Sequence, residues 1–179
     1  MRIYRFDKFG GSNVIPPYSI VWDPHFYEAS MMKISMDQAI THTGIVVFHP
    51  RGVESTTLTP KGNLRGHDKQ REMVNQIIAW ISDIESYYPD SPITDIVLED
   101  FEAYVPKDRK ASMFRLHRFT GYLRGRLEEW RGDRNIIIAE ISKGTVSKEY
   151  ARTVASGRGF KDHDEHQTDA YFQGLLAGW

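Results

Sequence analysis

The order of strand-like and helix-like segments after residue 33 constrains the fold of this 179-residue chain more than any other feature. Three short runs typical of strands come first, and later strand-like runs alternate with segments of helical periodicity. The predicted strands are KISMD, HTGIVVFHP, Gly52–Leu58, ITDIVLEDF and NIIIAEI. Hairpin strands pair antiparallel, whereas strands joined through a helix pair in parallel by right-handed crossovers. The sequence therefore predicts an α/β fold with a mixed five-stranded sheet and helices on both faces.

Apolar residues at helical spacing predict the helices that cover this sheet. The predicted helical ranges are 67–88, 107–130, 145–155 and 164–177. The first thirty residues are irregular by contrast, with Gly and Pro pairs as breaks. We therefore expect one domain over residues 33–179, preceded by an N-terminal extension over residues 1–32.

The absence of cysteine excludes several classes of protein. Disulfide scaffolds, thiol nucleophiles, cysteine-ligated zinc and iron–sulfur clusters all need a residue that this chain lacks. No apolar run approaches the roughly 18 residues of a membrane span, and the N-terminus lacks the apolar core of a signal peptide. We therefore expect a cytoplasmic protein with no membrane partner.

Charge is distributed unevenly, although the net charge is only −1. Residues 107–131 contain eight Lys/Arg against three acids, and residues 143–161 contain five against one. Separate basic and acidic regions suit a protein that grips a polyanion and holds cations at one site, but two solvated helix faces give the same pattern. The candidate contacts with a nucleic-acid backbone are Arg109, Lys110, Arg115, Arg118, Arg124, Arg126, Lys143, Lys148, Arg152 and Arg158.

Three carboxylates occupy positions where an α/β sheet gathers functional groups, beside the ends of its strands. Asp37 ends the first predicted strand, Glu99 ends the fourth, and Asp169 opens the last helix. If the two strands are neighbours, the three acids meet in one cleft, where divalent cations must neutralise them. Oxygen ligands of this kind suit Mg²⁺ or Mn²⁺ and the two-metal hydrolysis of a phosphodiester.

His166 precedes Asp169 by three residues and so shares its helix face. It is a candidate metal ligand or general acid/base, and Asp162 or Glu165 would complete the site about as well. Each acid also has an ordinary structural interpretation, as a turn cap, a partner for a lysine or a favourable charge at a helix N-terminus. A zinc site at His163 and His166 is a weaker alternative, because no cysteine accompanies the two histidines.

These motifs resemble the RuvC family of Holliday-junction resolvases, within the RNase H-like superfamily, and its phage members in particular. ISMDQAITHTGIVVF is similar to the family's first-strand Asp with a later Thr-Gly, here Asp37, Thr43 and Gly44. DIVLEDF is similar to its Glu at the end of a hydrophobic strand, and HQTDA to the start of its last helix. The ordered set covers residues 33–179, although the family's Asp usually lies within the first ten residues.

The resemblance implies an RNase H-like fold and a homodimeric, Mg²⁺-dependent endonuclease, with Mn²⁺ as a substitute. Such an enzyme binds four-way DNA junctions in recombination and repair and cuts two strands symmetrically, in the host cytoplasm if phage-encoded. Asp37, Glu99, His166 and Asp169 would be both its catalytic residues and its metal ligands. The extension before residue 33 would serve as a dimer arm, a DNA-contacting tail or a lid.

Other functions remain open at the level of sequence. A general branched-DNA or flap nuclease would use the same site, because the site reads phosphate and metal rather than base sequence. A catalytically inactive DNA-binding module is a second alternative, although all three carboxylates are present. Sugar kinases and actin-like ATPases share the superfamily's core, but they need two such domains around a nucleotide.

Overall fold

The sheet has five strands in the order β3-β2-β1-β4-β5. The structure, a computed structural model, describes residues 31–100, 110–142, 146–161 and 163–179, without the side chains of 110–112. The elements are β1 (Met32–Asp37), β2 (Thr43–His49), β3 (Gly52–Leu58), α1 (Gly66–Tyr87), β4 (Ile93–Glu99), α2 (Lys110–Arg131), β5 (Ile137–Ile141), α3 (Lys148–Gly157) and α4 (Glu165–Leu176). Strand β2 pairs antiparallel with β1 and β3, whereas β1, β4 and β5 are mutually parallel. The predicted mixed five-stranded α/β sheet is therefore confirmed.

Helices α1 and α2 cover one face of the sheet and form the main core with it. Met73 and Ile77 of α1 and Phe119 and Leu123 of α2 are fully buried. The strand residues of this core include Ile34, Met36, Ile45, Val47, Ile96 and Leu98. Burying a side chain of this size contributes about 1.5–3 kcal/mol. Packing against α1 and α2 therefore fixes which side chains of each strand point to this face. The intervening strand residues point to the other face.

Helix α4 covers that other face, and α3 packs against α4, through a smaller cluster. Its buried members are Val46, Ala155, Phe160, Ala170 and Tyr171. Ser35 of β1 is fully buried beneath α4, and its Oγ donates a hydrogen bond to the carbonyl oxygen of Ala170 at 2.7 Å. Helix α4 thus lies directly on the central strands.

The described helices differ from the predicted ranges mainly at the start of α3, whereas residues 107–109 of the range predicted for α2 lie outside the described residues. The predicted start was Thr145, but the helix begins at Lys148 because Ser147 is its N-cap and accepts a hydrogen bond from the N–H of Tyr150. It ends at Gly157, and Gly159 follows with a φ of 87°. None of the described helices combines the length and apolar character of a membrane span.

The predicted N-terminal extension concerns residues that lie almost entirely outside the described ones. The described chain begins at residue 31, and β1 already includes Met32. The boundary at residue 33 and the role of the extension therefore stay predictions.

Candidate functional site

Asp37 is the last residue of β1 and lies on the face of the sheet that α4 covers. Met36 faces the main core, and side chains alternate along a strand, so Asp37 points to the opposite face with Ser35. Glu99 follows the core residue Leu98 and points the same way. Because Met36 and Leu98 are partners in the parallel β1–β4 ladder, Asp37 and Glu99 end adjacent strands, which lie about 4.8 Å apart. The structure thus brings the first two candidate carboxylates to one corner of the sheet.

Gln38, the residue after Asp37, holds the end of β4 in place. Its side chain is almost fully buried. Its Nε2 donates to the carbonyl oxygen of Glu99 at 2.6 Å, and the N–H of Glu99 donates to its Oε1 at 2.9 Å. This pair of bonds satisfies both backbone groups of Glu99 and fixes that residue beside Asp37. Sequence reasoning missed Gln38, whose one signal is its position directly after a candidate site residue.

Thr43 and Gly44, which open β2, have separate roles that explain the Thr-Gly pair of the sequence motif. Thr43 Oγ1 donates to the carbonyl oxygen of Ala39 at 2.8 Å and accepts from its N–H at 3.2 Å, which closes the turn after β1. Gly44 is the ladder partner of Asp37. A Cβ built on Gly44 would lie 2.1 Å from the carbonyl oxygen of His166. Only glycine therefore lets the first turn of α4 approach β2 this closely.

This close approach places His166 against Asp37. His166 Nδ1 lies 2.9 Å from Asp37 Oδ2, and the two side chains are 25% and 15% exposed. Because a carboxylate only accepts, the Nδ1–H donates, and Nε2 carries the lone pair of the neutral ring. The hydrogen bond with Asp37 raises the pKa of His166 above its ordinary value, against the opposing effect of partial burial. The ring of His42 stacks on that of His166 with centroids 5.5 Å apart.

The other candidate residues near the start of α4 have different surroundings. Asp169 lies one helical turn after His166 and is half-buried. Glu165 is exposed and pairs with a lysine of α3 at 3.2 Å. Asp162 lies outside the described residues. Of the three residues that the sequence left open for the fourth position, the structure places His166, and not Glu165, against Asp37.

Asp164 is the N-cap of α4 and attaches the start of this helix to β3. Its carboxylate accepts hydrogen bonds from the N–H of Gln167 and from the hydroxyl of Thr57. Partial burial acts to raise the pKa of Asp164, but these hydrogen bonds outweigh it and lower the pKa. Asp164 therefore acts as a structural acid at a helix N-terminus, and it keeps His166 in position two residues later.

The candidate metal ligands near this corner have the chemical character that a hard divalent cation prefers. The candidate donors are the carboxylates of Asp37, Glu99 and Asp169 and the imidazole of His166, of which Asp37 and His166 are in direct contact. Within residues 31–179, leaving aside those the structure does not describe, no three histidine or acid side chains lie close enough to hold a metal ion. Mg²⁺ does not need such a cage, because it is ordinarily bound by one or two carboxylates and takes further oxygens from water and substrate phosphate. The donor types therefore fit Mg²⁺ or the similar Mn²⁺, but the described side chains do not gather the three carboxylates into the single cluster that the sequence predicts.

The two histidines considered as zinc ligands have separate partners. His163 Nδ1 lies 2.8 Å from Oε1 of Gln167, and its ring stacks on Phe160 with centroids 3.7 Å apart. His166 instead contacts Asp37. These separate contacts argue against a metal ion shared by the two rings.

The basic residues predicted to contact a nucleic-acid backbone divide into two groups. The first group forms ion pairs within the protein: Arg124 with Glu140, Arg126 with Glu129 and Lys148 with Glu165. Arg115, Arg118, Arg152 and Arg158 are exposed and form no ion pair with another described residue. Arg109, Lys143 and the side chain of Lys110 lie outside the description. The exposed group is the better suited to phosphate contacts.

A second buried amide, Gln173 of α4, ties this helix to the strand ends. Its side chain is fully buried, and its Nε2 donates to the carbonyl oxygens of Leu98 and Ile141 at 3.1 and 2.5 Å. Sequence reasoning missed it, because a lone glutamine on an amphipathic helix ordinarily faces solvent. Gln38 and Gln173 together hold the Glu99 end of β4 from both sides.

Comparisons with solved structures agree with this architecture. The chain is similar to RuvC of T. thermophilus in complex with a Holliday junction substrate, with a TM-score of 0.58 and 16% identity over 83% of this chain and 92% of that chain. It is also similar to a second Thermus thermophilus RuvC structure, with a TM-score of 0.52 and 16% identity over 83% of this chain and 93% of that chain. No family model and no curated protein matches the sequence. The chain therefore has the RuvC-type, RNase H-like fold that the resemblance of its motifs predicted.

Proposed function

We propose that this protein is a divalent-metal-dependent endonuclease that resolves four-way DNA junctions. The observation that carries the proposal is the contact between Asp37 and His166 beside Glu99, in a chain with the fold of RuvC. The T. thermophilus RuvC to which the chain is similar was solved with a Holliday junction substrate, which supports branched DNA as the substrate class.

Each candidate acid has a role that its position supports. Asp37 and Glu99 end adjacent strands, and Asp169 lies on the helix above them, so their oxygens would hold divalent cations. A pair of such ions, held by these residues, would supply activation of the attacking water and stabilisation of the leaving oxygen of the phosphodiester. Mg²⁺ is the expected ion and Mn²⁺ the expected substitute.

His166 is suited to hold a proton or to supply a nitrogen ligand. While Asp37 accepts the Nδ1–H, the neutral ring offers Nε2 as a proton acceptor or a ligand. The stacked ring of His42 restricts the rotation of the imidazole. Catalysis in this proposal therefore depends on the seating of α4 that Gly44 permits.

The exposed arginines supply the DNA-binding surface in this proposal. Arg115 and Arg118 lie on α2, and Arg152 and Arg158 lie on and just after α3. Phosphate contacts position DNA without reading its sequence, as recognition of a junction by shape requires. A two-fold homodimer would supply two identical sites for symmetric cleavage, and sedimentation of the protein with and without a junction tests that assembly.

Cleavage of a labelled synthetic four-way junction, beside linear duplex of matched sequence, tests the proposal. We expect paired nicks at symmetric positions of the junction in Mg²⁺, none in EDTA, and little cutting of the duplex. Equal cutting of flaps and junctions would instead indicate a general branched-DNA nuclease. Tight binding with no cutting in any metal would indicate an inactive DNA-binding module.

Asp37→Asn tests the assignment of the site. Asparagine keeps the shape of the side chain and accepts from His166 Nδ1–H, but it removes the charge that a cation needs. We expect cleavage to fall at least about 100-fold while junction binding and thermal unfolding stay near wild type. Asp133→Asn, in the exposed turn after α2, is the matched control and should cut normally. Cleavage by Asp37→Asn at the control rate would show that the site lies elsewhere.

A further inference from the structure

A polar cavity of about 320 Å³ opens between α3 and the start of α4. Its lining residues are Arg152, Ser156, Phe160, Lys161, His163 and Thr168. Its volume falls in the range of small-ligand sites, which begins at about 300 Å³. His166 contacts the sheet, whereas Thr168, two residues later, lines this cavity. The cavity and the carboxylate corner therefore lie on different sides of the same helix.

One wall of the cavity belongs to a continuous stack of three rings. The rings of Tyr171 and Phe160 lie 4.3 Å apart at an interplanar angle of 3°, and those of Phe160 and His163 lie 3.7 Å apart at 11°. Tyr171 and Phe160 are buried, whereas His163 is exposed, so the stack ends at a ring in solvent. Nδ1 of His163 lies 2.8 Å from Oε1 of Gln167 and 3.1 Å from Oγ of Ser55, and these contacts hold the ring in place. Phe160 covers one face of His163, and the His163 side chain as a whole is exposed to solvent.

Two cations stand at the same cavity. Arg152 and Lys161 are exposed, and neither forms an ion pair with another described residue. The hydroxyl of Ser156 adds a hydrogen-bond donor. The carboxylate of the nearby Asp164 accepts hydrogen bonds from the hydroxyl of Thr57 and from a backbone N–H of α4. The lining of the cavity thus places two cations beside an aromatic surface.

We propose that this cavity binds one nucleotide of a single DNA strand, with its base stacked on His163 and its phosphate held by Arg152 and Lys161. Aromatic stacking beside a basic groove is the general way in which proteins bind single-stranded nucleic acid without sequence preference. The inference rests on the proposed function in that its ligand is DNA. It adds a binding site that needs no metal ion and does not touch the carboxylate corner.

Binding of a fluorescent oligothymidylate of about ten nucleotides to the full chain in EDTA tests the site without cleavage. We expect His163→Ala to weaken binding about 10-fold, whereas His163→Phe keeps a stacking ring and stays near wild type. The double variant Arg152→Ala/Lys161→Ala should reduce the slope of log K against log salt by at least about 0.7, the contribution of one phosphate of a single strand.

Matched controls lie on α1, on the opposite face of the sheet. His67→Ala and Lys69→Ala remove an exposed imidazole and the ammonium of a half-buried lysine there, and both should leave oligonucleotide affinity and salt slope unchanged. Thermal unfolding of every variant shows that the fold is intact. His163→Phe separates the loss of stacking from any loss of structure.

Three outcomes would overturn the inference. The first is wild-type oligonucleotide affinity of His163→Ala together with an unchanged salt slope of the double variant. The second is binding of free adenosine 5′-monophosphate as tight as that of the oligonucleotide. The third is a loss of linear-duplex binding in His163→Ala as large as its loss of oligonucleotide binding. The expected binding changes in a protein that never cuts DNA would leave this site standing and refute the nuclease. Junction cleavage with unchanged oligonucleotide binding would do the reverse.

Discussion

Replacing Gly44 with alanine adds one methyl group at the point where α4 meets the sheet. Its Cβ would lie 2.1 Å from the carbonyl oxygen and 2.2 Å from the carbonyl carbon of His166. Ordinary contact begins at 3.4 Å rather than 2.1 Å, so the first turn of α4 must move by about 1.3 Å. The obstructing atoms belong to the backbone, and no side-chain rotation removes them.

This displacement affects both stability and the site. Overpacking of a well-packed interior costs about 1–3 kcal/mol. The hydrogen bond between His166 and Asp37 is 2.9 Å long, and a shift of more than 1 Å takes it beyond the normal range, which ends at about 3.2 Å. A misplacement of about 1 Å slows an enzyme by about 100-fold. We therefore expect Gly44→Ala to unfold more easily by about 1–3 kcal/mol and to cleave junctions about 100-fold more slowly.

Urea unfolding and single-turnover junction cleavage measure the two effects on the same samples. Gly121→Ala is the matched control, because Gly121 lies within α2 and a Cβ there meets nothing within 4 Å. Alanine is favoured over glycine inside a helix by about 1 kcal/mol, so the same chemical change should stabilise the protein at position 121 and destabilise it at position 44. If Gly44→Ala has the wild-type free energy of unfolding and the wild-type cleavage rate, the close seating of α4 on β2 is wrong.

Two buried amides give further predictions. Gln38→Leu removes the two side-chain hydrogen bonds to the N–H and the carbonyl oxygen of Glu99, so urea unfolding should show a loss of about 2 kcal/mol and cleavage should slow. Unchanged values for both would contradict the positioning role of Gln38. Gln173→Glu points a carboxylate at the carbonyl oxygens of Leu98 and Ile141, and we expect a loss of more than about 2 kcal/mol at neutral pH. Burial raises the pKa of such a carboxyl group, and its protonated form donates again, so the stability gap to wild type should narrow as the pH falls. A gap that stays constant during acid titration would refute this account.

The strands and their arrangement follow from local sequence patterns. Gly52–Leu58 was predicted as the third strand and forms β3 with those bounds, and the helical connections before β4 and β5 led to the correct parallel pairing. Periodicity suffices here, because burial on two faces requires alternation in the strands and a 3.6-residue period in the helices. The predicted start of α3 is wrong by three residues, because the N-cap at Ser147 fixes where the helix begins and the apolar pattern does not.

The positions of the candidate carboxylates also follow from the sequence alone. Asp37 and Glu99 end predicted strands, and the parallel pairing of those strands brings them to one corner. Whether they act as metal ligands stays a prediction. The motif residues Thr43 and Gly44 were visible in the sequence, but their separate roles in closing a turn and admitting α4 were not.

Only the tertiary structure decided which side chains meet at this corner. His166 reaches Asp37 across 129 residues of sequence, and Gln38 holds Glu99 across 61. Such contacts depend on how closely two backbones approach and on which buried polar groups lack partners. Local periodicity shows neither the distance between two backbones nor which buried polar groups need a partner. A polar residue beside a strand end gives the same sequence pattern whether it faces water or a buried backbone. The sequence by itself therefore determined the sheet and the placement of its acids, while packing decided the partners that hold them.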